Sequence, residues 1–292
     1  MNGSVRVEEG NYQTRDRICI KYRVWLPEKP RNAVILIHGA GENMDIFHHL
    51  WSFFVQSKMA FILFDLRGFG ASGGQCGHVT TFQDYLDDVN ELFHYFQENL
   101  KVFRFYVIGH SLGGLIATRL VQDGFDHIEG IVLSAPALEL RFQIPVIVQR
   151  IIAALSRTVP AFSVNPTRLV NGVMRFPALK KHFQWDNWDN VFVPLKYSCR
   201  WTHELLTEAK KAVLYAEKFT IPVLCICGKN DTLIHSDKVE AFINRVSATD
   251  KKWVVIPDVG HRLLHSDESA ATIEMIIDWI QQRLDKQPLP ST

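Results

Sequence analysis

The chain repeats one pattern along its length: a short, unbroken apolar run that stops at a glycine or aspartate turn. AVILIHG (33–39) is followed by MAFILFDLRG (59–68), FRFYVIGHS (103–111) and IEGIVLSAPA (128–137). A strand with one wet face alternates apolar and polar residues, whereas an unbroken run is what a strand needs when both faces are covered. Between the runs lie stretches of helical period at about 44–57, 82–100 and 112–123. In the second of these, Phe82, Leu86, Val89, Leu92, Phe93 and Phe96 share a face, and Thr81 stands where a cap belongs. Strand, helix, strand, helix implies a mostly parallel central sheet with helices on both faces, an α/β fold.

Ahead of this rhythm, VRVE (5–8) and RICIKYRVWL (17–26) alternate apolar and polar residues and predict an antiparallel pair. The rhythm stops at about residue 138. It resumes with IPVLCICGKND (221–231), a helix near 236–247, KKWVVIPDVGH (251–261) and a last helix near 267–285. Residues 138–218 hold no buried strand run. IPVIVQRIIAALSRTVPAF reads as a helix with a wide apolar face of Ile144, Ile147, Val148, Ile151, Ile152 and Leu155, and a second helix spans about 198–218. The expectation is one α/β core, 1–137 and 219–292, with 138–218 inserted as a helical cap before the last two strands. The 292 residues suffice for such a core without staples.

Composition narrows the partners. A net charge of +1 implies no broad basic field, so nucleic acid is not expected as a partner. The start, MNGSVRVEEGNYQ, shows no apolar leader, and no run reaches the ~18–20 residues that span a bilayer. Cys19, Cys76, Cys199, Cys225 and Cys227 are scattered and odd in number, which fits free thiols in a reducing, cytoplasmic setting. No CxxC pair or histidine cluster has zinc-ligand spacing, and His48-His49 reads as a solvated helix face.

In open α/β sheets, chemistry gathers at the carboxyl ends of the strands. After the first run stand His38-Gly39-Ala40-Gly41-Glu42, glycines that let the backbone turn tightly. The turn after the second, Asp65 to Gly74, lacks the order of a phosphate loop and reads as a structural turn pinned by Asp65 and Arg67. The third run ends in Gly109-His110-Ser111-Leu112-Gly113, a serine between strand and helix. That is the context of a nucleophile elbow, with the Leu112 N–H at the positive end of a helix dipole. A serine hydroxyl is a weak nucleophile and needs a base that is itself oriented by a third group. Asp231 closes the next-to-last run and His261 the last, in the chain order Ser, Asp, His. His265 competes as the base, and Asp258 and Asp237 as the acid; each ranks below its rival by position.

With these residues the chain resembles the α/β-hydrolase superfamily, and within it the monoacylglycerol lipase/lysophospholipase-like serine hydrolases. HGAGE (38–42), FDLRGFGASGG (64–74), GHSLGG (109–114), GKND (228–231) and GHRLLHSD (260–267) carry the resemblance from end to end. GHSLGG is common across the superfamily, while HGAGE with DLRGFGASGG is more specific. Some relatives have histidine where this chain has Phe69, and the 138–218 segment matches only loosely.

The resemblance implies that Ser111 attacks an ester carbonyl, His261 takes and returns the proton, and Asp231 orients His261. It implies an oxyanion site between the backbone N–H groups of Leu112 and Ala40, with His38 and Glu42 shaping the loop. No cofactor and no metal are required. The expected substrate is a small lipid-like ester, and the 138–218 cap could touch membrane peripherally or simply pack on the core. Trp185, Trp188, Phe192 and Trp201 could line a pocket or form the cap's own small core, the second being favoured. A thioesterase or a proline-iminopeptidase-like enzyme would keep the same triad, and a non-catalytic ligand-binding protein could keep the same fold. Dehalogenase or epoxide hydrolase chemistry is disfavoured, because both need aspartate where this chain has Ser111. No dimer seam is recognisable, so the oligomeric state stays open.

Overall fold

The computed structural model describes residues 4–30, 32–100, 104–125, 127–141, 144–165, 196–265 and 269–286. Strands β1 (Arg6–Gln13), β2 (Cys19–Leu26), β3 (Asn32–Ile37), β4 (Met59–Phe64), β5 (Arg104–His110) and β6 (Ile128–Ser134) precede a two-residue pair, β7 (Ser163–Val164) and β8 (Tyr197–Ser198). Strands β9 (Val223–Gly228) and β10 (Lys251–Ile256) follow. Eight of these form one sheet in the order β1-β2-β4-β3-β5-β6-β9-β10. Only the β1–β2 and β2–β4 pairings are antiparallel; the rest are parallel. The result is an α/β fold with a mostly parallel sheet, as the strand rhythm predicts.

The central runs are buried along nearly their whole length. Val34, Ile35, Leu36, Ile37, Phe61, Ile62, Val107, Ile108, Val132 and Leu224 all lie in the core. Helices cover the sheet: a 3₁₀ turn (Met44–Leu50) running into α1 (Trp51–Gln56), then α2 (Gln83–Leu100), α3 (Leu112–Gln122), α6 (Ser236–Arg245) and α7 (Ala270–Lys286). Two more, α4 (Val146–Thr158) and α5 (Cys199–Leu214), fall between β6 and β9.

The structure differs from expectation at the sheet's edges. β1 runs on to Gln13, each residue from Arg6 to Gln13 facing one of β2. Its second half carries no apolar alternation because the backbone ladder, not burial, holds it. β10 is not covered on both faces; it is the opposite edge, and Val255 is exposed. Thr81 does not accept from the helix backbone, since its hydroxyl donates to Asp84, whose carboxylate takes the Thr80 and Thr81 N–H groups.

α5 is welded to the core. Ser198 caps it by accepting the Trp201 N–H, and its own N–H donates to the Gly77 carbonyl. Trp201 donates its indole N–H to the Tyr85 hydroxyl on α2 at 2.9 Å. Arg119 of α3 donates to Glu208 of α5 at 2.9 Å, both side chains buried. Trp201 therefore sits in the seam between α5 and the core, packed on Tyr197. Trp185, Trp188 and Phe192 lie outside the described residues. α4 rests on α5 through the Arg200 guanidinium, which donates to the Ser156 carbonyl, and through Lys210 and Gln149.

Candidate active site

The elbow after β5 is strained. Ser111 adopts φ 50° and ψ −111°, a region that costs a residue with a side chain on the order of 1–3 kcal/mol. The bend persists because its backbone is over-determined. The Ser111 N–H donates to the Ser134 carbonyl, and its own carbonyl accepts from Gly114, Leu115 and Ala137. Helix α3 then crosses so close to β3 that a Cβ on Gly113 would fall on the Ile37 carbonyl, and one on Gly109 would meet the Gly113 carbonyl. The glycines flanking the serine are there for close approach.

The first loop comes to the same point. A Cβ on Gly39 would lie 3.1 Å from the Ser111 Cβ, so Ala40 follows directly on a residue in contact with the serine. Among the described residues neither the Ala40 nor the Leu112 N–H has a hydrogen-bond partner. For Leu112 this is the ordinary state of the first helical residue. His38 accepts the Leu66 N–H at Nε2, which leaves the proton on Nδ1 to donate to the Gly39 carbonyl at 2.7 Å. Two strand-end loops are thereby tied together, and burial holds His38 below its ordinary value.

Asp231 and His261 meet as predicted. The His261 Nδ1–H donates to Asp231 Oδ2 at 2.9 Å, while Asp231 Oδ1 accepts the N–H groups of Leu233 and Ile234 at 2.8 and 2.9 Å. Burial works against the Asp231 charge, but the His261 contact and the two N–H groups outweigh it and lower its pKa. Asp258 instead occupies a turn at φ 57°, and Asp237 lies in the first turn of α6. The Ser111 hydroxyl has no hydrogen bond among the described residues. His110, the residue before Ser111, has its ring centre 5.0 Å from that of His261. A nucleophile–base hydrogen bond commonly tightens only when substrate binds.

His265 pairs elsewhere, with Glu42 Oε1 at 2.5 Å. Glu42 Oε2 accepts the Gly39 N–H at 2.7 Å, and His110 Nε2 lies 3.6 Å from Glu42 Oε1. Sequence reasoning missed this cluster. Its one legible sign is that both Glu42 and His265 stand four residues beyond a strand-end histidine. The three ligating atoms lie within 4.8 Å of one another and offer a zinc-type donor set. The arrangement does not suit an ion. Two ligands about 2.1 Å from one tetrahedral metal stay roughly 3.3 Å apart, and the 2.5 Å Glu42–His265 spacing is that of a hydrogen bond.

The 65–74 turn is structural, as expected. The Asp65 carboxylate accepts the N–H groups of Met44 and Ala71, and Arg67 pairs with Asp88 and Asp16. Burial pushes the Asp88 carboxyl up to about 6 even beside that guanidinium. Phe69, where some relatives carry histidine, packs edge-on against His38 and faces Tyr197. The five cysteines are free. No described helix is long and apolar enough to cross a membrane.

The chain is similar to known proteins along most of its length. Phospholipase YtpA of Bacillus subtilis is 27% identical over 247 residues, covering 84% of this chain and 93% of that protein. The monoacylglycerol lipase of Mycolicibacterium smegmatis is 24% identical over 272 residues, 91% and 94% of the two chains. A soluble variant of monoglyceride lipase from Saccharomyces cerevisiae, solved with a substrate analog, superposes with a TM-score of 0.75 at 22% identity, covering 94% of each chain. Residues 28–268 match the model of the family described as serine aminopeptidase, S33, and the chain belongs to that family of α/β-fold hydrolases.

Proposed function

We propose that the protein hydrolyses carboxylic esters of small lipid-like substrates, of the monoacylglycerol or lysophospholipid type, through an acyl-enzyme on Ser111. The observation that carries the reading is the Asp231–His261 hydrogen bond beside a serine held in a strained elbow. In this reading the Ser111 oxygen bonds to the carbonyl carbon while its proton passes to His261 Nε2. Asp231, bonded to Nδ1, fixes the tautomer and stabilises the imidazolium. The Ala40 and Leu112 N–H groups receive the oxyanion. The C–O bond to the alcohol breaks, and His261 returns the proton to it. Water, deprotonated by His261, then releases the acid and restores Ser111.

Residues 138–218 act in this reading as a cap over the site and bring it to lipid. The exposure of Val146, Ile147 and Ile151 on α4 favours peripheral contact with a lipid surface over packing on the core. The names of the lipase relatives support an ester substrate. The family's description supports a second reading, an aminopeptidase with the same triad.

A panel of p-nitrophenyl esters of increasing acyl length, set against aminoacyl p-nitroanilides, separates the two. We expect ester turnover that favours longer chains. Ser111→Ala should lose activity by several orders of magnitude without a change in melting temperature. Equal rates for the two proteins would remove Ser111 from the mechanism. Preference for the anilides would establish the peptidase reading, and a wild type inert to a fluorophosphonate probe would leave only a binding protein.

A further inference from the structure

Among the described residues, Glu42 is the carboxylate that touches the HGAGE turn, the elbow strand and the segment after His261. Its Oε2 accepts from the Gly39 N–H, its Oε1 accepts from His265 Nε2, and His110 Nε2 lies 3.6 Å from the same Oε1. Two of these neighbours adjoin a residue of the proposed chemistry and the third lies one helical turn's length from one. Gly39 precedes Ala40, His110 precedes Ser111, and His265 lies four residues beyond His261.

A carboxylate in so buried a place needs compensation. Its side chain is 12% exposed, that of His265 11%, and His110 is fully buried. Burial would raise the Glu42 pKa, but His110 and the hydrogen bond from His265 outweigh it and hold the group well below the carboxylate range. Glu42 is thus an ionised acceptor, and the proton in the short contact belongs to His265 Nε2. His110 Nε2 has no hydrogen-bond partner, although its ring lies 4.9 Å from that of His265 and 5.0 Å from that of His261. The loop's own geometry does not call for such an arrangement, since a tight HGAGE turn needs only one acceptor for the Gly39 N–H. The second Glu42 oxygen reaches across the sheet ends to the segment that carries the base.

We propose that Glu42, with His265, is a positioning residue of the reaction: it clamps the turn bearing the Ala40 donor to the segment bearing His261, and so fixes the distance between oxyanion site and base. The proposal rests on the triad reading above. It differs from a loop-shaping role because the clamp needs both partners.

The test is steady-state hydrolysis of one p-nitrophenyl ester by the full chain, with fluorophosphonate inactivation rates and melting curves measured in parallel. Glu42→Ala should lower kcat on the order of 10²-fold, as loss of an oxyanion donor does, with KM changed by less than about twofold. Glu42→Gln keeps an acceptor for Gly39 and should regain roughly tenfold of that loss. The double variant Glu42→Ala/His265→Ala should lose about as much as Glu42→Ala alone, because the pair acts as a unit. Losses that multiply in the double variant, or a folded Glu42→Ala with kcat within about threefold of wild type, would overturn the clamp. If the Glu42 variants do not fold, His265→Gln alone decides: kcat should fall about tenfold with an unchanged melting curve, and an unchanged kcat overturns the proposal. A wild type that neither turns over ester nor reacts with the probe would instead overturn the triad on which the clamp depends.

Discussion

Helices α3 and α4 look alike in sequence and lead opposite lives. LGGLIATRLVQ and VIVQRIIAALSRT are both rich in aliphatic residues, yet every residue of α3 is buried and in α4 only Ser156 is. α3 follows the strained serine and is enclosed by β3, β5 and β6 on one side and α5 on the other. Even its polar members are enclosed: Arg119 bonds Glu208, Gln122 and Asp123, and Gln122 reaches the carbonyls of Ala212 and Tyr215. α4 packs on α5 and leaves Val146 and Ile147 about two-thirds exposed, at 65% and 64%. An apolar stripe states that a face can be buried; the neighbours decide whether it is.

The strongest way to break the contrast is to disturb the crossing under α3. Gly113→Ala puts a methyl group into the Ile37 carbonyl, where backbone opposes backbone and neither can yield. We expect loss of soluble folded protein or a collapse of the melting temperature, read by circular dichroism. A variant that melts like wild type would mean that α3 is free to shift, as α4 is. Next in size is Arg119→Ala, which leaves the buried Glu208 carboxylate with Lys211 as its remaining cation and should cost about 3 kcal/mol. Its counterpart on the α4 side, Lys210→Ala, removes an exposed bond to Gln149 and should cost less than about 0.5 kcal/mol by urea titration. Similar costs for the two would erase the distinction between a welded helix and a resting one.

The same contrast explains what the sequence discloses. β3, β4 and β5 are legible because strands covered on both faces must be apolar throughout, and Asp231 because it follows such a strand, β9. The second half of β1 is silent: Glu9, Gly10 and Asn11 are held by backbone ladder bonds to β2, which leave no apolar pattern. β10 reads as enclosed because WVVI is apolar, yet it is an edge. The Glu42–His265 contact joins residues 223 positions apart. Neither residue belongs to a periodic element, so only the folded sheet brings them together. Trp201 misleads in another way, for its indole N–H is satisfied by Tyr85 on a core helix, a partner 116 positions away.

Acidification should act on the α3 side. Burial holds His110, which leads into the elbow, at about 3 against an ordinary 6.5. The folded chain keeps it neutral while the unfolded chain takes up a proton below about 6.5, so stability present above that pH is lost as pH falls toward about 3. At pH 5 this one group costs about 2 kcal/mol, a drop of a few degrees in melting temperature relative to pH 7.5. His110→Asn should narrow the gap between the two melting curves. An equal gap in the variant would place the acid sensitivity elsewhere.

The smallest effect on stability, and the sharpest probe of what α4 is for, comes from replacing Val146, Ile147 and Ile151 together by serine. If these side chains face outward in solution, as their exposure indicates, the variant should melt within about two degrees of wild type. Half-burying them in a lipid interface would contribute about 2–4 kcal/mol. The variant should therefore bind phosphatidylcholine vesicles at least about tenfold more weakly in a sedimentation assay. Arg150 and Arg157 add only two positive charges to the helix, so anionic lipid should strengthen binding little. Hydrolysis of a dispersed short-chain ester should be unchanged, because α4 contributes no residue to the triad. A fall of several degrees in melting temperature would reverse the assignment. It would mean that this face is claimed by the protein itself, and that α4 is buried in the same sense as α3.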